Sequence, residues 1–148
     1  MSNQYHNRPT EQQRDRKPTT PAADWSKIQL DTPPPELFDT IAEQAAKIIS
    51  TDRNTNKPSQ LRGFYDEIIN WDQRSRQWTP ETFQEHLPLI KMLNAKVAYA
   101  KGRNLVDENY FSLIRHGLSQ IKEKKHLHNF KLFLEAFHGF YKVERPKD

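Results

Sequence analysis

Histidine is the side chain best suited to proton transfer or metal binding near neutral pH, and the chain carries six: His6, His86, His116, His126, His128 and His138. His126 and His128, with His116 and His138 close by in sequence, invite an acid–base or metal-ligand reading. Their spacing opposes it. Two residues apart on a helix, rings point about 200° apart. The two-histidine zinc signature needs i, i+4 spacing with a glutamate between, and no carboxylate cluster accompanies these positions. They read as solvent-facing or core-edge side chains, and no metal site is expected.

Other chemistries fail on composition. With no cysteine, disulfides, thiolate zinc ligands and thiol catalysis are excluded. The four glycines, Gly63, Gly102, Gly117 and Gly139, fall in or at the ends of predicted helices, so no phosphate-cradling loop can be built from them. No serine sits on a strand-to-helix turn of the nucleophile-elbow kind, because no strands are predicted. No catalytic residue and no cofactor are expected.

What remains is a basic and aromatic pattern over residues 79–103. At about 100° per residue, with Ile90 set at zero, Phe83, Leu93 and Val97 fall within about 60° of it. Met92, Lys96, Tyr99 and Arg103 fall together on the far side, between about 180° and 240°. Lysine and arginine there can bind phosphate oxygens while Tyr99 stacks on a base or sugar, the combination used for single strands. The same spacing fits solvated cations with Tyr99 packed on another helix. Lys57 and Arg62, at the start of another predicted helix, and Arg115 and Lys122 could extend the patch.

The elements that must position these residues are helical. Residues 1–32 are rich in Gln, Asn, Arg, Thr and Pro and show no apolar period before Trp25, Ile28 and Leu30. Such a segment cannot offset its ordering entropy by burial, so a disordered arm is expected, with a short anchor around Trp25 to Leu30. After Pro33, Pro34 and Pro35, the spacing of Leu37, Ile41, Ala45, Ile48 and Ile49 predicts helix one, closing near Ser50. Pro58 and Ser59 open helix two, with Leu61, Phe64, Tyr65, Ile68 and Ile69 on one face, fading before Trp78.

Helix three has the best start signal: Thr79 can cap, Pro80 suits the first turn, and Trp78 can staple onto Phe83. Its core stripe is Phe83, Leu87, Ile90, Leu93 and Val97, and Gly102 marks its end or a close backbone approach. Helix four follows a cap at Asp107 with Tyr110, Phe111, Ile114, Leu118 and Ile121. The apolar phase then changes, so a break falls within Lys122 to His126. Helix five carries Leu127, Phe130, Leu134, Phe137 and Tyr141 to about Val143, and Arg145 onward trails off. The expected fold is all-α: one compact bundle of about five antiparallel helices over residues 33–148, preceded by the arm of residues 1–32.

The bulk numbers agree with one core. A chain of 148 residues suits a single domain. A hydrophobic fraction of 34% and a mean hydropathy of −0.98 imply that part of the chain contributes nothing to the core. No run approaches the roughly 18–20 apolar residues of a membrane span, and residues 1–20 hold no signal-peptide core. A soluble protein of the cytoplasm is expected. Charge is uneven: residues 1–90 hold eleven Lys and Arg against thirteen Asp and Glu, and residues 91–148 hold twelve against six. The basic portion suggests an anionic partner, most often nucleic acid.

Three stretches resemble one family. Ser59-Gln60-Leu61-Arg62 followed by Phe64-Tyr65 resembles the Ser-x-[Leu/Ile]-Arg opening of the small subunit of the type III-A CRISPR interference (Csm) complex. Leu89-Ile90-Lys91-Met92-Leu93, then Lys96-Val97-Ala98-Tyr99-Ala100-Lys101-Gly102-Arg103, is similar to its central Lys-x-x-Leu-x-Tyr-x-x-Gly-Arg pattern. Phe130 to Lys142, with Phe133, Glu135, Ala136 and Tyr141, is similar to its Phe-x-x-Phe-x-Glu-Ala-x-x-x-Tyr-x-Lys close. The arm before residue 32 is longer than the family's usual start.

The resemblance, over roughly residues 57–145, implies a non-catalytic helical subunit, present in several copies stacked along a filament. Its implied partners are guide RNA and target RNA, other copies of itself, the guide-binding backbone subunit and the large polymerase-like subunit, to which cleavage and second-messenger synthesis belong. Carried over, the RNA-contacting candidates are Lys57, Arg62, Lys91, Lys96, Lys101 and Arg103, with Tyr99 and Arg115. A subunit reading shape along a duplex needs phosphate contacts and no base-edge code. The alternative is a helical adaptor for proteins only, using exposed aromatics such as Trp71 or Phe140, and the remaining one an enzyme with an unrecognised site.

Overall fold

Beyond helix one, the helix starts chosen by the sequence are the ones the fold uses. In the computed structural model, which describes residues 23–147, the Thr79 hydroxyl accepts the Thr82 N–H at 3.2 Å and Pro80 opens α3 (Pro80–Lys91). The Trp78 ring lies 6.3 Å from Phe83, completing the staple. Asp107 accepts the Tyr110 N–H at 2.9 Å and starts α5 (Glu108–Ser119). Pro58 opens α2 (Pro58–Ser75). The change of phase after Ile121 is a break, and α6 (Lys124–Glu144) begins within it.

The third rod is interrupted at Met92, where α3 gives way to α4 (Leu93–Gly102). Pro88 inside α3 removes one ladder donor just before this point. Gly102 is the last residue of α4, and a Cβ there would meet nothing within 4 Å, so it marks an end and not a close approach. The left-handed residue that reverses the chain is Asn104, with φ 60°. Asparagine tolerates this conformation better than other non-glycine residues.

Helix one differs in its start and phase. A π-turn, Leu37–Ile41, precedes α1 (Ala42–Ile49), and the Ile41 N–H reaches the Glu36 carbonyl at 3.1 Å. The buried face of α1 is Ala42, Ala45, Ala46 and Ile49, while Ile41 and Ile48 are only half-buried. Alanines let α1 lie close against α6, the helix that also packs on α2 and the π-turn. Counting α3 and α4 as one interrupted rod, the described residues form five helical rods and no strand. Around α6, the fully buried Phe130, Phe133, Phe137 and Tyr141 make the centre of the core.

Gly117 is where a backbone does approach closely. A Cβ there would sit 2.3 Å from the buried Phe130 ring, so α5 and α6 cross at a contact only glycine permits. Arg145 does not trail off. It is buried and donates to the carbonyls of Thr55 at 2.6 Å and Asn56 at 3.0 Å, while the Tyr141 hydroxyl donates to Asn56 at 2.5 Å. The loop before α2 is thus pinned to the end of α6.

The expected anchor is part of the core. Trp25, Ile28 and Leu30 are buried, and side chains of α5 and α6 bind the backbone around them. The Ile28 carbonyl accepts from Gln120 at 2.6 Å and His116 at 2.8 Å, and the Leu30 N–H donates to Gln120 at 2.8 Å. The packed chain therefore begins before the boundary expected at residue 32. The rest of the expected arm lies outside the described residues.

Candidate nucleic-acid interface

Helix periodicity separates the two faces of the α3–α4 rod as the spacing requires. Phe83, Ile90, Leu93 and Val97 are buried and Leu87 half-buried, while Met92, Lys96, Tyr99 and Arg103 are exposed. Tyr99 is 68% exposed, so it is not packed on another helix among the described residues. The Arg103 guanidinium lies 5.7 Å from the Tyr99 ring centroid. A cation beside an open aromatic face suits a polyanion whose bases can stack.

Lys96 forms an ion pair with Glu67 of α2, yet its side chain stays 53% exposed. An exposed pair of this kind is held weakly and exchanges readily for another anion. Lys101, half-buried, pairs with Glu108, and its Nζ lies 5.2 Å from the Phe111 ring. Arg115, exposed on α5, approaches the same ring at 5.8 Å. Phe111 thus gathers Lys101 and Arg115 into a second cluster, a role that an aromatic at helical spacing does not announce.

Lys57 is exposed and stands at the position just before α2, with no side-chain capping bond. Its neighbour Asn56 hydrogen-bonds the α4–α5 loop, donating to the Leu105 carbonyl at 3.0 Å and accepting the Asp107 N–H at 3.0 Å. That brings Lys57 to the Arg103 end of the rod. Arg62, exposed one turn on, pairs with Asp66 at 3.3 Å and lies 5.6 Å from the Tyr65 ring. Lys91 ends α3 half-buried, apart from the outer face defined by Lys96, Tyr99 and Arg103.

The described histidines are engaged within the domain. His86 stacks on Trp78 at 4.1 Å, and His128 Nδ1 lies 3.2 Å from the buried Asp72 carboxylate. His126 Nδ1 accepts the Lys122 N–H at 3.1 Å, so its other nitrogen carries the proton and donates to Asp31 at 2.8 Å. Asp31, Glu123 and His126 stand close enough to gather round a cation, but the ring's two nitrogens are already committed in this way. The bond from His126, then that from Lys125, holds the Asp31 carboxyl below the usual carboxylate range.

His138 is the strongly perturbed imidazole, pushed down to about 4 chiefly by burial and next by the charge of Arg62. It packs on Tyr65 at 4.8 Å and against the edge of Phe137. Its Nε2 is sealed from solvent without a hydrogen-bond partner. The ring as a whole is half-buried and lines the groove that it shares with Ser59, Arg62 and Lys142. Among the described residues, no helix is long and apolar enough to cross a membrane.

A family model described as Csm2 Type III-A matches residues 32–147. No curated protein and no solved structure matches the chain.

Proposed function

We propose, from the premise that the chain belongs to the type III-A Csm2 family and is a small subunit of a Csm complex, that it is a non-catalytic RNA-binding subunit. Its ligand is the sugar–phosphate backbone of guide and target RNA. Copies of it stack along the filament beside the guide-binding backbone subunit and the large polymerase-like subunit, in the cytoplasm. The observation that carries this reading is the outer face of the α3–α4 rod, where Lys96, Tyr99 and Arg103 stand exposed opposite a buried apolar stripe. Lys57, Arg62, Lys101 and Arg115 widen the positive field around it, and Lys91 contributes at longer range.

Binding of this kind is sequence-tolerant and falls with salt, because affinity comes from released counterions. Fluorescence anisotropy with an unrelated single-stranded RNA across a salt series tests it. Arg103→Ala should weaken binding and flatten the slope of log affinity against log salt by about 0.7–1. Unchanged slope and affinity in a folded variant would remove this face from the interface.

Exposed Leu89 and Met92 on the same rod favour a second reading, a protein-only adaptor. That protein would show no RNA affinity at physiological salt while still co-purifying with other subunits.

A further inference from the structure

Residues 23–31 form a strap bound mostly through its backbone, by side chains that recur along α5. Asn109 accepts the Ala23 N–H at 3.2 Å, Ser112 accepts the Trp25 indole N–H at 2.9 Å, and His116 and Gln120 donate to the Ile28 carbonyl. Spacings of three and four put these four residues on one face of the helix. From α6, Asn129 donates to the Leu30 carbonyl at 2.8 Å and His126 to Asp31. Trp25, Ile28 and Leu30 fill the space between these anchors.

The strap is joined to the first helix by Thr32, Pro33, Pro34 and Pro35, a linker that bends at Thr32, turns at Pro35 and has no backbone donors at its prolines. The family match begins at Thr32, where the strap ends. The seat therefore belongs to the matched body, and the strap lies outside it.

We propose that the seat on α5 and α6 takes the strap of a second copy of this chain, so that strap exchange ties neighbouring copies together. The idea rests on the reading that copies stand side by side. Exchange keeps every bond and buried side chain of the seat, and only the path of the proline linker changes. A lone molecule fills its seat with its own strap, because the linker gives it the higher effective concentration. A neighbour held alongside offers its strap at comparable concentration, so exchange grows with crowding of copies.

The chain has no cysteine, so disulfide trapping in the full-length protein reads this directly. Ala23→Cys and Asn109→Cys in one chain should close an internal link in dilute solution; failure to close would overturn the seat itself. Full-length Ala23→Cys mixed with full-length Asn109→Cys at high concentration, then oxidised, should give about ten-fold more disulfide heterodimer than Ala23→Cys mixed with the exposed-site variant Glu85→Cys. Equal yields from the two mixtures would overturn exchange. No RNA is present, and the salt series on the same variants reports RNA binding separately, so the two readings fail independently.

Discussion

Two sides of this bundle use polar side chains in opposite ways. On the α5–α6 side, Asn109, His116, Gln120 and Asn129 turn onto the strap backbone and Ser112 onto the Trp25 indole, with apolar anchors between them. On the α3–α4 side, Lys96 and Arg103 reach outward from a rod whose opposite face is buried. Polar groups on the first side satisfy buried backbone and cost stability when removed. Those on the second hold exposed contacts that contribute little to folding and leave charge for a ligand.

The largest effect is expected at Trp25. Trp25→Ala deletes a buried ring and orphans its bond to Ser112, so unfolding stability should fall by about 3–5 kcal/mol. Denaturant titration checks this, and the fraction still folded should keep its RNA affinity. A loss below about 1 kcal/mol would mean that the strap is a surface ornament and the two sides do not differ.

Acid tests the interior next. His138 has a folded pKa of about 4 against about 6.5 unfolded. The unfolded chain takes up that proton first, so stability is full above about pH 6.5 and drains as pH falls towards 4, by up to about 3 kcal/mol. Asp31, whose folded pKa is lowered, adds its loss only below the ordinary carboxylate range near 3.8. Melting curves across pH should show the decline between 6.5 and 4, and His138→Phe should flatten it. A similar decline in His138→Phe would assign the acid sensitivity elsewhere.

A smaller effect is expected at the α5–α6 crossing that supports the strap. Gly117→Ala drives a methyl into the Phe130 ring, and overpacking of this kind costs about 1–3 kcal/mol. Thermal melting checks it. Gly63→Ala and Gly139→Ala, which meet nothing within 4 Å, are internal controls expected to hold or gain stability.

The sequence made the rods legible because period, cap and proline signals coincide, as at Trp78, Thr79 and Pro80. It also separated the two faces of α3–α4, since that depends on geometry within one helix. It missed what depends on contacts between elements. The alanine face of α1 carries too little apolar contrast to show its phase. Gly117 and Gly102 look alike until Phe130 is placed. Arg145 reads as a polar tail residue because its carbonyl partners lie about 90 positions away. For the same reason, the ion pairs that occupy Lys96 and Lys101 could not be foreseen from their own helix, and neither could the choice between an exposed Tyr99 and one packed on another helix.

Those ion pairs give the finest test. Glu67 and Lys96 are both accessible enough that neither should matter much to folding, and each single substitution should change stability by no more than about 0.5 kcal/mol. Their effects on RNA should have opposite signs. Lys96→Ala removes a cation and should weaken binding with a flatter salt slope, whereas Glu67→Gln removes the anion that competes with phosphate for Lys96 and should strengthen it. Anisotropy titrations at two salt concentrations distinguish the cases. If Glu67→Gln weakens binding as Lys96→Ala does, the pair is a positioning device that holds Lys96 towards the ligand. The outward-facing side would then resemble the strap side in needing its polar groups fixed.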